Sequence, residues 1–366
     1  MDTPSPASLS VVIAGGGTGG HLYPGIAVAR EILRRRPDAK VTFAGTAQGL
    51  ESKIVPREGF ELDVIRSAGL RGKSPSRLAR GLSLLVPSLR DAWKVLSERR
   101  PHVVVGVGGY SSGPVVLTAC VRRIPTLVME QNAAPGLANR VLARFVRSAA
   151  VTYEETLRFF GDRGFVAGNP VRAEFLTASA LDMASVRTRR PRVLILGGSQ
   201  GAHAINVAIA AAAARIHHRH PEAEFVHQTG ARDLEEVRRA YAQAGVPARV
   251  EAFLDPVAGE MAEATLVVSR AGATTLAELA AAGRPAVLVP LPTATDDHQR
   301  KNARVLANAG AAVIVEQALG ADGLSAAVGG LLDEPESLVR MARAIKAFGR
   351  PEAARRIVDR VFELAE

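Results

Sequence analysis

The sequence contains a single cysteine, Cys120, set in the apolar run VVLTACV with neither a C-x-x-C partner nor a metal-ligating neighbour. One thiol cannot close an internal disulfide, so the chain suits a reducing compartment and Cys120 reads as a packed, inert side chain. Aromatic residues are scarce, at 4% of the chain with one tryptophan. With no zinc-finger spacing, aromatic RNA-binding signature or basic tail, this weighs against nucleic acid as a partner. No apolar run reaches the roughly 20 residues that span a bilayer. The opening stretch MDTPSPASLS lacks the basic and apolar regions of a secretory signal, so the expectation is a protein that stays inside the cell.

What is present is globular. The chain has 366 residues, 47% hydrophobic and 22% charged, enough for two domains of ordinary size. Its formal charge of +10 points to an anionic partner, whether nucleic acid, an anionic membrane surface or a phosphorylated substrate, and charge alone does not choose among them.

Short apolar runs ending in glycine alternate with longer Ala/Leu/Arg segments. They are VVIAGGG, VTFAG, VVVGVGG and PTLVMEQN in the first half, then RVLILGGSQG, AEFVHQTG, LVVSRAG and AVLVPLP in the second. Runs that are apolar on both faces suit strands of a parallel sheet covered by helices, and each half opens with the same strand-glycine-helix layout. The expected fold class is α/β, with two Rossmann-like doubly wound domains. A breaker-rich stretch between them, GNPVRAEFLTASALDMASVRTRRPR, reads as the linker, and the last segment, after FGRP, reads as a helix that either closes the second domain or returns to the first.

The first loop, GGGTGGHLYPG, carries Gly15, Gly17 and Gly20 in the spacing G-x-G-x-x-G. A dinucleotide site expects a carboxylate about 20 positions later, at the end of the second strand, to hold a ribose hydroxyl. That strand ends at Gly45 and Thr46 without an acid, and no G-K-[ST] follows the glycines. What remains is a helix N-terminus at which the backbone of Thr18, Gly19 and Gly20 can approach an anion. His21 follows at the mouth of the sheet, where the helix start biases it toward the neutral, proton-accepting form. The competing reading is that His21 only shapes the turn.

Four further stretches concentrate polar or small residues at strand ends. GVGGYSSGP presents Gly108, Gly109, Ser111 and Ser112 either to a phosphate or merely as a tight β-to-α connection. EQNAAPGLANR gathers Glu130, Gln131, Asn132 and Asn139, a set suited to sugar hydroxyls or to turn chemistry. GGSQGA repeats the phosphate-loop layout through Ser199, Gln200 and Gly201. SRAGATTLAELAAAG starts a helix near Ala273 and Thr274, where Thr274 and Thr275 suit a diphosphate and Glu278 the two hydroxyls of a ribose. Glu278 also reads as an acid favoured by the helix dipole. Asp296, Asp297 and His298 are a poor metal set because neighbours at a helix start point apart, and RIHHRH at 215–220 reads as the solvated end of a helix.

RLARGLSLLVPSLRDAWKVL places Leu78, Leu82, Leu85, Leu89, Trp93 and Leu96 at three- and four-residue steps, with Arg71, Lys73, Arg77, Arg80, Arg90 and Lys94 around them. Such a stripe serves a membrane surface or packs on the protein's own sheet, with Pro87 expected to kink or break the helix.

In order, GGGTGGHLYPGIAVA, GVGGYSSGP, EQNAAPGLANR, GNPVR, GGSQGA, SRAGATTLAELAAAG and DDHQRKNA closely resemble the MurG family of bacterial N-acetylglucosaminyltransferases. The resemblance spans nearly the whole chain and implies a GT-B fold, two Rossmann-like domains facing across a cleft. Residues 1–172 would form the acceptor and membrane-side domain, joined by a C-terminal helix at 346–366, and residues 173–345 the UDP-sugar domain. It implies transfer of N-acetylglucosamine from UDP-N-acetylglucosamine, with inversion, to the C4 hydroxyl of the N-acetylmuramyl-pentapeptide on undecaprenyl diphosphate. That step turns lipid I into lipid II in peptidoglycan synthesis, serving cell shape and division, at the cytoplasmic face of the bacterial inner membrane, whose anionic surface a peripheral enzyme would touch.

By the same resemblance the donor should meet Thr18, Gly19, Gly20, Asn132, Arg172, Ser199, Leu254, Ala273, Thr274, Thr275, Leu276, Ala277, Glu278 and Gln299. Gly108, Gly109, Ser111 and Ser112 would form acceptor diphosphate loops. Leu254 stands where the family usually has isoleucine, and His298 where it often has glutamine. Transfer needs a base for the acceptor hydroxyl and stabilisation of the departing diphosphate. His21 is the candidate base, with Glu130 as an alternative or as its orienting partner, and neither metal nor cofactor is required. The rivals are another GT-B enzyme such as a UDP-sugar epimerase, an inactive nucleotide-sugar-binding scaffold at the membrane and, more remotely, a nicotinamide oxidoreductase.

Overall fold

The computed structural model describes residues 8–67, 84–177, 181–197 and 202–366. By contacts the chain divides into two compact units, Met1–Val171 with Pro351–Glu366, and Arg172–Arg350.

In the first unit β1 (Ser10–Gly15), α1 (Gly19–Arg35), β2 (Lys40–Gly45), α2 (Glu51–Arg57) and β3 (Glu61–Val64) precede α3 (Leu85–Arg99). Then follow β4 (Val103–Gly108), α4 (Ser112–Val121), β5 (Thr126–Glu130), α5 (Leu137–Leu142), β6 (Ser148–Val151) and β7 (Gly164–Val166). The sheet is parallel in the order β3-β2-β1-β4-β5-β6-β7. Its central strands β4 and β5 are buried from end to end and β1 from Val11 on, which is why they read as unbroken apolar runs.

The second unit repeats the plan. After a short α6 (Met183–Thr188) come β8 (Arg192–Leu196), α7 (His203–Arg219), β9 (Glu224–Gln228), α8 (Leu234–Gln243) and β10 (Ala248–Glu251). They are followed by α9 (Val257–Glu263), β11 (Leu266–Ser269), α10 (Ala273–Ala282), β12 (Ala286–Leu288), α11 (His298–Asn308) and β13 (Ala312–Ile314). The parallel order is β10-β9-β8-β11-β12-β13, and α12 (Gly320–Asp333) and α13 (Pro335–Lys346) complete the unit.

The C-terminal helix α14 spans Ala353–Ala365 rather than starting at 346, and residues 347–352 separate it from α13. Ile357, Val358 and Val361 are fully buried and join Leu22, Ile26 and Ile32 of α1 in the core of the first unit. Arg35 and Asp359 add an ion pair at 2.6 Å.

Chain order reverses in each sheet between two adjacent strands, β1 and β4 in the first unit and β8 and β11 in the second. The carboxyl ends of such strand pairs are where open α/β sheets bind ligands.

Candidate functional site

In the first unit GGGTGGH follows β1 and GVGGYSSG closes β4, so the two loops meet at the switch point. Their backbones touch so closely that side chains are excluded. A Cβ on Gly15 would lie 2.4 Å from the Gly108 carbonyl oxygen, and one on Gly109 would lie 2.4 Å from that of Gly16. Gly15, Gly16, Gly17, Gly108 and Gly109 all have positive φ, the region open to glycine. Thr18 is the N-cap of α1, in extended conformation, and Gly19, Gly20 and His21 form its first turn.

The carboxylate missing from the end of β2 arrives from the start of α2. Glu51 is fully buried and accepts the Gly17 N–H at 2.7 Å, the Thr46 N–H at 2.9 Å and the Thr46 hydroxyl at 2.8 Å. It seats against Gly16, Gly45 and Gly49, none of which has room for a Cβ. The glycine loop therefore carries an internal anion that fixes its shape, and this carboxylate is too enclosed to serve a ribose.

His21 meets Gln131 rather than Glu130. Its Nδ1 lies 3.1 Å from Gln131 Oε1, while Gln131 Nε2 donates to the Val107 carbonyl at 2.9 Å. The ring lies over Gly108, where a Cβ would come within 2.7 Å of Nδ1. Glu130, at the end of β5, is buried, and its oxygens accept from the Asn132 N–H, the side-chain amides of Asn132 and Asn139, and the Gly136 N–H. The side chain expected from Glu130 at His21 Nδ1 is thus that of Gln131, and the oxygens of Glu130 bond the loop after its strand. Asn132 is tied into the same loop by these bonds. The hydroxyls of Ser111 and Ser112 are buried, that of Ser112 against Gly106, so what the start of α4 offers a ligand is backbone N–H.

In the second unit Ser199, Gln200 and Gly201 lie outside the described residues. The other switch-point loop is well defined. Gly272 caps α10, whose first turn is formed by Ala273, Thr274 and Thr275, and Leu276 and Ala277 carry it on to Glu278. Glu278 falls beyond the first turn, which removes the simple dipole reading, and only 14% of its side chain is exposed. Burial pushes its carboxyl up to about 7, against the pull of the Arg172 guanidinium 3.5 Å away. Arg172 pairs also with Glu174 at 2.9 Å and stacks on Phe175 at 4.9 Å. Leu254 donates its N–H to Gln228 Oε1 at 3.3 Å, and Gln299 Oε1 accepts the Leu291 N–H at 3.0 Å, bracing the loop before α11. In that loop Asp296 and Asp297 both have positive φ, and His298 bonds the Thr295 carbonyl at 2.6 Å.

Sequence reasoning gave no role to a buried polar chain behind β8 and β9. His227 links Tyr241 to Asn206, and Asn206 bonds Asp233, which also pairs with His203 at the start of α7. Burial pushes His227 down to about 3, so it stays neutral. The 215–220 cluster is a helix end with Arg215, His218 and Arg219 exposed, as the sequence suggested, but its last residue departs from that. His220 is buried, bonded to the Gly329 carbonyl and paired with Asp333, because α12 packs along α7.

The stripe predicted on α3 is divided. Leu78, Leu82, Arg71, Lys73, Arg77 and Arg80 lie outside the described residues. The helix buries Ser88, Ala92, Val95 and Leu96, whereas Leu85, Val86 and Trp93 are exposed, Trp93 by 52%. Arg122 stacks on Trp93, and the exposed Val121, Val141 and Phe145 lie on the neighbouring α4 and α5 region. Pro87 sits in the first turn of α3, where no intrahelical N–H bond is lost, and so does not break it. Among the described residues no helix is long and apolar enough to cross a membrane.

Comparison with known proteins matches both units. Residues 11–151 fit the glycosyltransferase family 28 N-terminal domain and residues 192–357 its C-terminal domain. The UDP-N-acetylglucosamine--N-acetylmuramyl-(pentapeptide) pyrophosphoryl-undecaprenol N-acetylglucosamine transferase of Anaeromyxobacter sp. (strain K) is 46% identical, covering 97% of this chain and 93% of that protein. The transferase of the same name from Myxococcus xanthus (strain DK1622) is 44% identical, covering 96% and 92%. The crystal structure of Acinetobacter baumannii MurG superposes with a TM-score of 0.80 at 29% identity, covering 97% of this chain and 99% of that one. A UDP-GlcNAc 2-epimerase from Neisseria meningitidis bound to UDP-GlcNAc shares the fold at a TM-score of 0.67, covering 97% and 100%, but only 16% of the sequence. With two doubly wound parallel α/β units, both family 28 domains and these relatives over nearly its full length, the chain belongs to the MurG family of glycosyltransferases.

Proposed function

We propose that this chain is the inverting transferase that moves N-acetylglucosamine from UDP-N-acetylglucosamine to the C4 hydroxyl of undecaprenyl-diphosphate-linked N-acetylmuramyl-pentapeptide, making lipid II from lipid I. The observation that carries this reading is the pairing of glycine-loop helix starts at both switch points with a histidine at one and a buried carboxylate at the other. The first unit, with its C-terminal helix, takes the acceptor, and the second takes most of the donor.

The chemistry divides accordingly. The acceptor oxygen attacks C1 of the sugar from the face opposite the diphosphate, the C1–oxygen bond breaks, and UDP leaves with the electron pair. His21 takes the hydroxyl proton. The N–H groups at the start of α10, with the hydroxyls of Thr274 and Thr275, meet the growing charge on the diphosphate. Glu278 accepts the ribose hydroxyls as a carboxylate, and Arg172, its neighbour at 3.5 Å, serves the donor with it. Gly108, Gly109 and the backbone of Ser111 and Ser112 serve the acceptor diphosphate, and Thr18, Gly19, Gly20, Asn132, Ser199, Leu254 and Gln299 the donor. None of these roles calls for a metal. The exposed face of α3 with Arg90, Lys94 and Arg122 suits a peripheral seat on the anionic inner face of the cell membrane.

The test is transfer of labelled sugar from UDP-N-acetylglucosamine to a short-chain analogue of the lipid acceptor, with release of UDP. Donor consumed without acceptor would instead mark an epimerase, and donor bound without turnover in the presence of acceptor a scaffold.

A further inference from the structure

The geometry points to Gln131 as the positioning residue that sets which nitrogen of His21 carries the proton. This inference deepens the reading of His21 as the base and rests on it for its catalytic meaning.

Gln131 is 2% exposed, and its amide is held from both ends. Its Nε2 donates to the Val107 carbonyl at 2.9 Å, and its Oε1 lies 3.1 Å from His21 Nδ1. Turning the amide over would set Oε1 against a carbonyl oxygen, two acceptors at hydrogen-bond distance, so the chemistry of the Val107 contact fixes which end faces the imidazole. An amide oxygen only accepts. The His21 nitrogen facing it must therefore be the donor, Nδ1–H, which places the lone pair of the neutral ring on Nε2. Neutral imidazole in water prefers the opposite tautomer, with the proton on Nε2, so this is a preference imposed by the fold.

Gly108 completes the device. Its φ of +96° and the 2.7 Å between its absent Cβ and His21 Nδ1 leave the ring nowhere to sit if any side chain is present. The opening glycine loop supplies the base, the end of β4 supplies its seat, and the residue after β5 sets its proton.

The test is long-range proton–nitrogen correlation NMR on the full chain labelled with ¹⁵N in its 8 histidines, assigning His21 by the signals lost in His21→Asn. The expected result is a neutral His21 with Nδ1 protonated, moving toward the Nε2–H form in Gln131→Met. In the transfer assay Gln131→Met should lower kcat by at least about tenfold and leave the donor KM unchanged. A wild-type His21 protonated at Nε2 overturns the inference, as does full kcat in Gln131→Met. The spectra of the wild-type protein decide the matter even if the variant does not fold. If His21→Asn keeps full turnover, the reading of His21 as base fails, while the wild-type spectrum still reports separately on whether Gln131 sets the tautomer.

Discussion

The carboxylate of Glu51 accepts the backbone N–H of Gly17 at 2.7 Å, closing the first glycine loop on an anion that the protein itself supplies. Burial alone would push this carboxyl up, yet the N–H groups of Gly17 and Thr46 and the Thr46 hydroxyl hold it below the ordinary carboxylate value. A group depressed in this way stabilises the fold above its ordinary pKa and loses that contribution as pH falls through the carboxylate range.

Glu51→Ala should therefore cost about 2–4 kcal/mol at pH 7, because three donors lose their buried acceptor and a cavity opens beside Gly16. Chemical denaturation at pH 7 and pH 4 checks it. The gap between wild type and variant should narrow at the lower pH, and an equal gap at both would show that the charge of Glu51 is not what holds the loop.

Glu278 carries the opposite sign. Burial raises its carboxyl to about 7, so between the ordinary carboxylate value and about 7 the folded chain keeps a proton that the unfolded chain gives up. Its contribution to stability is complete at low pH and is lost as pH rises through about 7. Glu278→Gln should accordingly be neutral near pH 4.5 and stabilising by up to about 3 kcal/mol at pH 8. In the proposed ribose role Glu278 acts as a carboxylate, so the wild-type donor KM should fall as pH rises through about 7, whereas the glutamine variant should show a high, flat KM. A normal donor KM in the variant would remove the ribose role.

The central strands were legible because they are buried on both faces and read as continuous apolar runs, as in VVIAG and VVVGVG. The edge strands β3 and β10 were not. ELDV and ARVE carry charges that bond to neighbouring helices, as where Arg99 pairs with Glu61 and Asp63, so they show no apolar signal. The site was legible where glycine spacing and a strand end coincide. It was illegible where the partner comes from elsewhere in the chain. Nothing near VTFAG announces that Glu51 will turn back to Gly17, and Glu130 and Gln131 are adjacent in sequence while only the pleat of the strand decides which of them meets His21.

The C-terminal helix offers a test of how the chain is divided. Ile357 is fully buried among side chains of the first unit, so Ile357→Ala should destabilise by about 2–4 kcal/mol and lower the temperature at which that unit unfolds. Hydrogen exchange should show the lost protection in β1 and α1, with that of β8 and α7 unchanged. Loss confined to the second unit would place the helix wrongly.

On α3 the residues buried against the sheet are small, Ser88 and Ala92 with Val95 and Leu96, while the largest apolar side chain of the helix, Trp93, is half exposed with Arg122 stacked on it. A helix built only to cover its sheet would bury Trp93 and expose Ser88, so the distribution favours an apolar face offered to a lipid surface and flanked by cations. Changing Leu85 and Trp93 together to serine should leave unfolding unchanged to within about 1 kcal/mol, because neither side chain packs in the core. Sedimentation with vesicles containing anionic lipid should fall about tenfold or more, since each side chain gives up roughly a kcal/mol of apolar transfer. Activity toward a soluble short-chain acceptor should stay at the wild-type level. Binding to the vesicles unchanged by the double substitution would refute the assignment of this face to the membrane.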